Sequence, residues 1–260
     1  MALLRQFTTN FSSGELSPLL SSRVDAEAYR NGAFRLRNVR LKAQGGCTRR
    51  PGLRYLQTLA NEDYQAEPYV YDEDEAYILL FSNTKLRIVD ISDPTNLLQT
   101  ITSCPWTTAM IGSLVVTQSG DTMFITHPDM PMQELTRTSA TNFARSAYDF
   151  DVSSGMKFQP YNKFAAGSVT ITPSGTSGSV TLTASATAFT SAYNGLYLRL
   201  VDSANTVRHA LITGYTSGTV VTATLSGAIA NTNAITEWSE PVFSSVRGYA
   251  RTVTLYDQRL

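Results

Sequence analysis

An all-β fold is what this sequence predicts, on three observations. Charged residues fill only 16% of the 260 positions, well under the usual quarter, which leaves little of the charged surface that amphipathic helices need. Thr, Ser, Ala, Gly and Val crowd the second half; β-branched side chains suit a pleated backbone, and Gly and Ser suit its turns. Apolar residues come in short runs closed by turn signals, not at helical spacing. With 42% hydrophobic residues the chain is long enough to bury a real core.

Taken in order, residues 1–60 read as an arm-like lead-in, in which Asn, Gly and Arg punctuate small apolar groups. Residues 24–29 suit one short helix, ended by Asn31 and Gly32. Gly45 and Gly46 separate residues 39–42 from the Arg49-Arg50-Pro51-Gly52 turn and the apolar stretch 53–59, which predicts a hairpin followed by a sharp redirection. Residues 61–164 read as β-meanders. Strands are expected at 76–81, 86–91 and 97–101, with a Ser82-Asn83-Thr84 turn, and again at 113–117, 123–126 and 132–136, with turns at Ser119-Gly120-Asp121 and Pro128-Asp129. Two meanders of this size resemble propeller blades.

Residues 165–237 form a Thr- and Ser-rich island. Val169 and Ile171, then Val180 and Leu182, alternate with Thr, giving strands with one apolar and one hydroxylated face. Leu196, Leu198 and Leu200, then residues 207–212 and 220–225, continue the pattern, so a small inserted β-sandwich or barrel is expected. From 238 to 260 the propeller texture returns, with a strand at 251–256. The chain stops at Gln258-Arg259-Leu260 inside what reads as another hairpin, which anticipates either a fragment or strands supplied by another chain.

Lys plus Arg and Asp plus Glu both number 21, so a strongly basic nucleic-acid binder is not expected. The charge is unevenly placed, however. Up to Leu56 ten basic side chains face three acidic ones, a net +7, and the remainder carries −7. Arg35, Arg37 and Arg40 interleave with Phe34, Leu36, Val39 and Leu41. That pattern suits either a phosphate backbone or a half-buried strand, and the acidic remainder favours pairing with an acidic protein surface over DNA.

No catalytic, metal or cofactor motif stands out. His127 and His209 are the only histidines, and both read as structural, His127 at a turn and His209 on a strand face with Val207 and Leu211. HExxH, GxSxG and P-loop patterns are missing from the sequence. Asp72-Glu73-Asp74-Glu75 lacks the spaced ligands, Gly and distal Glu of an EF-hand and reads as a solvated hairpin tip. Asp149, Asp151, Glu237 and Glu240 are carboxylates from which a glycosidase pair would have to be drawn, with nothing in their spacing to say that they converge. Cys47 and Cys104 make no disulfide framework or CxxC pair and read as small, buried, reduced thiols. There is no signal-peptide core and no apolar run long enough to span a bilayer, so a soluble protein made in a cytoplasm is expected.

One ordered series of residues resembles a known family. Asn10-Phe11-Ser12-Ser13-Gly14-Glu15-Leu16-Ser17-Pro18, Arg23-Val24-Asp25, Tyr29, Gly32, Asn38, Gly45-Gly46 and Arg49-Arg50-Pro51-Gly52 resemble the opening of the tail nozzle (tail tubular protein B) family of short-tailed bacteriophages. Residues 120–128 with Leu135-Thr136-Arg137, and 248–254 with Gln258-Arg259-Leu260, look like that family's propeller strands. Ser13-Gly14 stands where the family often has Gly-Gly, and Ala250 where it has Pro.

The resemblance implies a virion protein of the tail: a homo-oligomeric ring, a hexamer in well-known members, docked below the portal-adaptor ring. It prolongs the channel for double-stranded DNA, retains the genome until ejection and in some phages helps seat tail fibres. Arg49, Arg50 and Arg54 are then candidates for bidentate pairing to carboxylates of a neighbour, and an acidic or neutral lumen would let DNA slide. Family members usually continue past this length. The alternative reading is a tail-associated host-glycan or receptor-binding module, marked by clustered exposed aromatics on the Thr-rich domain; a glycan depolymerase is a more distant one.

Overall fold

In the computed structural model residues 8–256 are described, and they are nearly all β. Arg259 and its neighbours at the C-terminus lie outside the described residues. The chain divides into two units, one up to Leu56 and one from Gln57 on.

The first unit has short elements. Strands β1 (Gly14–Glu15) and β2 (Gly32–Ala33) pair in parallel, and α1 (Glu27–Arg30) is a single turn just before β2. β3 (Val39–Leu41) and β4 (Cys47–Arg49) form the hairpin expected around Gly45 and Gly46. Residues 53–59 form no strand. Of residues 8–56 only Gly45 is buried.

The second unit begins with two four-stranded antiparallel meanders. In the first, β5 (Gln65–Val70), β6 (Ala76–Ser82), β7 (Lys85–Asp90) and β8 (Leu97–Thr102) lie in chain order. Pro68 is tolerated because β5 is an edge strand with one neighbour. In the second, β9 (Val115–Ser119), β10 (Thr122–His127), β11 (Met130–Ser139) and β12 (Asn142–Ala147) do the same.

One apolar core serves both meanders: Tyr69, Tyr77, Leu79, Phe81, Leu86, Ile88 and Trp106 meet Met123, Ile125, Leu135 and Phe143. Tyr69, Tyr77 and Phe143 pack edge-to-face, with centroids 5.0–6.0 Å apart. Trp106 seals the β6–β7 turn, its Nε1–H shared by the carbonyls of Ser82 and Lys85 at 3.1 Å.

Three glutamines stitch the matching edges of the two sheets. Gln65 grips the backbone of Leu114, accepting from its N–H at 3.2 Å and donating to its carbonyl at 2.8 Å. Gln118 does the same at Val70, at 3.1 and 2.6 Å. Gln99 grips Phe143 at 2.8 and 3.0 Å. Each amide thus imitates a strand partner, so first strand lies by first strand and fourth by fourth.

After the short hairpin of β13 (Val152–Ser153) and β14 (Met156–Lys157), the chain builds a seven-stranded sheet. Its members are β15 (Tyr161–Asn162), β16 (Ile171–Pro173), β17 (Ser179–Ala184), β18 (Tyr197–Val201), β19 (Val207–Ser217), β20 (Val220–Leu225) and β21 (Trp238–Pro241). They are ordered β15-β21-β18-β19-β20-β17-β16. Ile235, just before β21, exchanges both backbone hydrogen bonds with Ile171 of β16 at 2.8 and 2.9 Å, so the sheet curls back on itself. Inside lie Val169, Ile171, Leu182, Leu198, Leu200, Ile212, Val221 and Trp238, the apolar halves of the predicted alternation.

Two expectations need correction. Residues 238–241 do not return to a meander: Trp238 is buried in the second core, its Nε1 donating to the Val169 carbonyl at 2.9 Å. Residues 251–255 form no strand despite their Thr/Val alternation, because β-propensity alone does not pair a backbone.

Candidate functional site

In the first unit, the residues of the ordered N-terminal series hold one another. Phe11 N donates to the Gly45 carbonyl at 2.6 Å, and Gly14 N back to the Phe11 carbonyl at 2.9 Å. Gly45 has φ +93°, and a Cβ there would run into the Asn10 side chain, so only glycine suits the position. At Gly32 a Cβ would fall 2.5 Å from Leu16 Cδ2. The Glu15 carboxylate accepts from Leu36 N at 2.9 Å. Pro18 opens a 3-10 turn whose Leu19 N–H is held by Ser17 Oγ.

Asn38 sits at φ +57° and accepts from Arg50 twice, from Nε at its side-chain oxygen and from the backbone N–H at its carbonyl, both at 2.9 Å. Asn38, Arg49, Arg50, Pro51 and Gly52 together line one open hollow, so the structure brings these series members together. Arg50 is thereby committed internally, whereas Arg49 and Arg54 are exposed and make no side-chain bond among the described residues. Arg23 pairs with Asp25 at 2.7 Å on the surface, which holds that carboxyl below its ordinary range. Gly46 has open space around it. Residues 34–38 form no strand, and Arg35, Arg37 and Arg40 are exposed beside half-buried Leu36 and Val39.

In the second unit, a groove of about 230 Å³ opens where the second meander meets the curled sheet. Tyr148 and Phe150 come from the connection after β12, Tyr197 from β18, and Phe243 and Tyr249 from the segment after β21. Phe124, Tyr148 and Phe150 form an edge-to-face ladder at 6.0 and 5.2 Å. On the rim, Lys157 pairs with Asp149 and lies 5.7 Å from the Tyr197 ring. Burial first, then the charges of Glu134, Asp151 and Asp149, push the Tyr148 phenol up, so its hydroxyl stays protonated at neutral pH.

Two buried polar groups fix the walls. Glu240, 1% exposed, accepts from Tyr193 Oη and from Arg247, whose Nη2 and Nε lie 2.8 and 3.2 Å from its two oxygens. Burial and that carboxylate raise the Tyr193 phenol above its ordinary range. Arg247 stacks 4.6 Å from the Phe164 ring, pinning the segment in which Tyr249 N then reaches the Pro128 carbonyl. His209 lies under β14, its Nδ1 accepting from Lys157 N at 2.9 Å, with the Tyr161 ring 5.0 Å away. Burial, then the Arg199 charge, lowers its pKa, so it is neutral.

The remaining candidates take structural places. His127 accepts from Asp129 N at 3.2 Å and closes its turn. Asp72 organises the hairpin tip through the N–H groups of Asp74 and Glu75, but Glu75 departs from the solvated reading: Arg137 and Tyr77 hold it. Asp149, Asp151, Glu237 and Glu240 do not converge in role: Asp149 is bound to Lys157, Asp151 and Glu237 are exposed, and Glu240 is buried against Arg247. No metal-holding group of three is found among the described residues. Cys47, expected buried, is exposed on β4; Cys104 is buried, which pushes its thiol up to about 11. No helix among the described residues is long and apolar enough to cross a membrane. No protein-family model matches this chain, and no curated protein matches it.

Proposed function

We propose that the chain is a structural virion protein, a tail nozzle whose ring extends the portal-adaptor channel for double-stranded DNA. The observation that carries the reading is the pairing of two four-stranded meanders through like edges, β5 by β9 and β8 by β12. Successive propeller blades, related by rotation about a common axis, present that arrangement. The ordered N-terminal series supports it from the other unit, because its members build one another's contacts. The ring partner is the chain itself, with the portal-adaptor protein above and tail fibres as further partners. Native mass spectrometry with negative-stain averaging tests this: a closed ring with a duplex-wide pore is expected, and a monomer unchanged by adaptor protein would overturn it.

A second reading, a host-glycan-binding tail module, is favoured by the aromatic groove. Aromatic faces beside Asp149 and Lys157 suit a sugar ring with its hydroxyls at the rim. The feature that would mark this reading on the Thr-rich sheet, clustered exposed aromatics, is not found among the described residues, where Tyr215 is its one large exposed hydrophobic side chain. Saturable binding of host surface polysaccharide, lost in Tyr197→Ala, would establish this reading over the first.

A further inference from the structure

The described residues of the first unit lack what lets a polypeptide fold in isolation. Among them no apolar side chain is buried, yet Leu19, Phe34 and Leu53 are 92%, 81% and 90% exposed. Phe34 also lines an open groove of about 240 Å³ with Leu16, Pro18, Leu20 and Tyr29. Large apolar side chains gathered on so small a unit mark an interaction surface.

Charge says what covers it. This unit carries +7 and the rest of the chain −7, so one unit laid on the other cancels both without remainder. We propose that the N-terminal unit of one copy docks on the second unit of another copy, through Leu53 and the free guanidinium groups of Arg49 and Arg54. This rests on the ring reading and names the contact that closes the ring.

The receiving surface is the β5–β6 hairpin tip. There Val70 and Tyr71 are exposed, and the exposed carboxylates of Glu73 and Asp74 accept no hydrogen bond among the described residues. Val70 and Tyr71, the latter with Arg137 stacked on one face at 3.9 Å, followed in sequence by two free carboxylates, complement Leu53 with the free arginines that precede and follow it in sequence.

The test is a mixing experiment on the full chain. One variant carries Arg49→Glu and Arg54→Glu, the other Glu73→Arg and Asp74→Arg. Each alone sets like charges against each other and is expected to run as a monomer. Mixed, every interface pairs opposite charges again, and assemblies with equal numbers of the two are expected. Assembly of either variant alone, or failure of the mixture while both variants fold, overturns the proposal. A second measurement covers misfolding: in a Cys47→Ser background, Leu53→Cys and Tyr71→Cys are expected to oxidise to a chain-to-chain disulfide, and a bond within one chain, or none, overturns it. A wild-type ring insensitive to both tests defeats this inference alone. A wild-type monomer defeats the ring reading as well.

Discussion

Residues 57–256 bury two apolar clusters, whereas residues 8–56 bury one glycine and leave Leu19, Phe34 and Leu53 in water. The meanders and the curled sheet are held by side-chain burial, at about 25 cal/mol per Å² of apolar surface. The N-terminal unit is held by backbone hydrogen bonds and a few polar grips, such as Glu15 on Leu36 and Asn38 on Arg50. Each grip contributes about 1 kcal/mol, against an ordering cost of about 1–2 kcal/mol per residue. A unit with that balance acquires lasting order by covering its apolar side chains with another surface.

The largest loss of stability is expected at Trp238. Trp238→Ala removes a fully enclosed ring and its bond to Val169 and should cost about 3–5 kcal/mol in urea unfolding; a loss below about 1 kcal/mol would mean the curled sheet is not held by its core. Glu240→Ala takes the carboxylate from Arg247 and leaves it the Tyr193 hydroxyl, and because that guanidinium is partly exposed the cost should fall to about 2–3 kcal/mol. Gln118→Leu removes two bonds to the exposed Val70 backbone, which water then serves, at about 0.5–1.5 kcal/mol, and a neutral result would remove the edge stitch.

Acid should weaken the second unit as well. His209 has a lowered pKa in the fold, so below the ordinary histidine value of 6.5 the unfolded chain takes up the proton first. Stability is therefore full above that value and falls with pH towards the lowered one. Carboxylates held low, such as Asp202, bound by the N–H groups of Thr206, Ala204 and Ala230, add a second loss at more acid pH. In His209→Gln the upper leg should disappear and the lower one remain. The smallest effect on folding belongs to the first unit: Leu53→Ser, at an exposed position, should change the unfolding of the dilute chain by no more than about 0.5 kcal/mol, while weakening self-association.

What was legible in the sequence was whatever local pattern determines. The Val/Thr alternation at 169–172 and 180–183 placed both strands, and turn letters placed Asn83-Thr84 and Gly120. What pairing over distance determines was not legible. Trp238 reads like any aromatic at a loop end until its strand finds β18, and the fourth strand of the second meander, Asn142–Ala147, carries too little apolar alternation to announce itself. The three glutamines are ordinary polar letters whose role appears only once two sheet edges lie side by side. The aromatic groove draws on three distant stretches, so no spacing rule could have gathered it. The N-terminal series was visible as an ordered set, but its meaning was conformational: Gly45 for a left-handed turn against Asn10, Asn38 to hold Arg50.

A second unit ordered by itself and a first unit ordered by association differ in amide hydrogen exchange measured at two protein concentrations. Amides of residues 65–225 should be protected equally in dilute and concentrated samples, while those of residues 11–50 should exchange freely when dilute and slow markedly on assembly. Equal protection of residues 11–50 in the dilute monomer, or none in the assembled state, would contradict that difference.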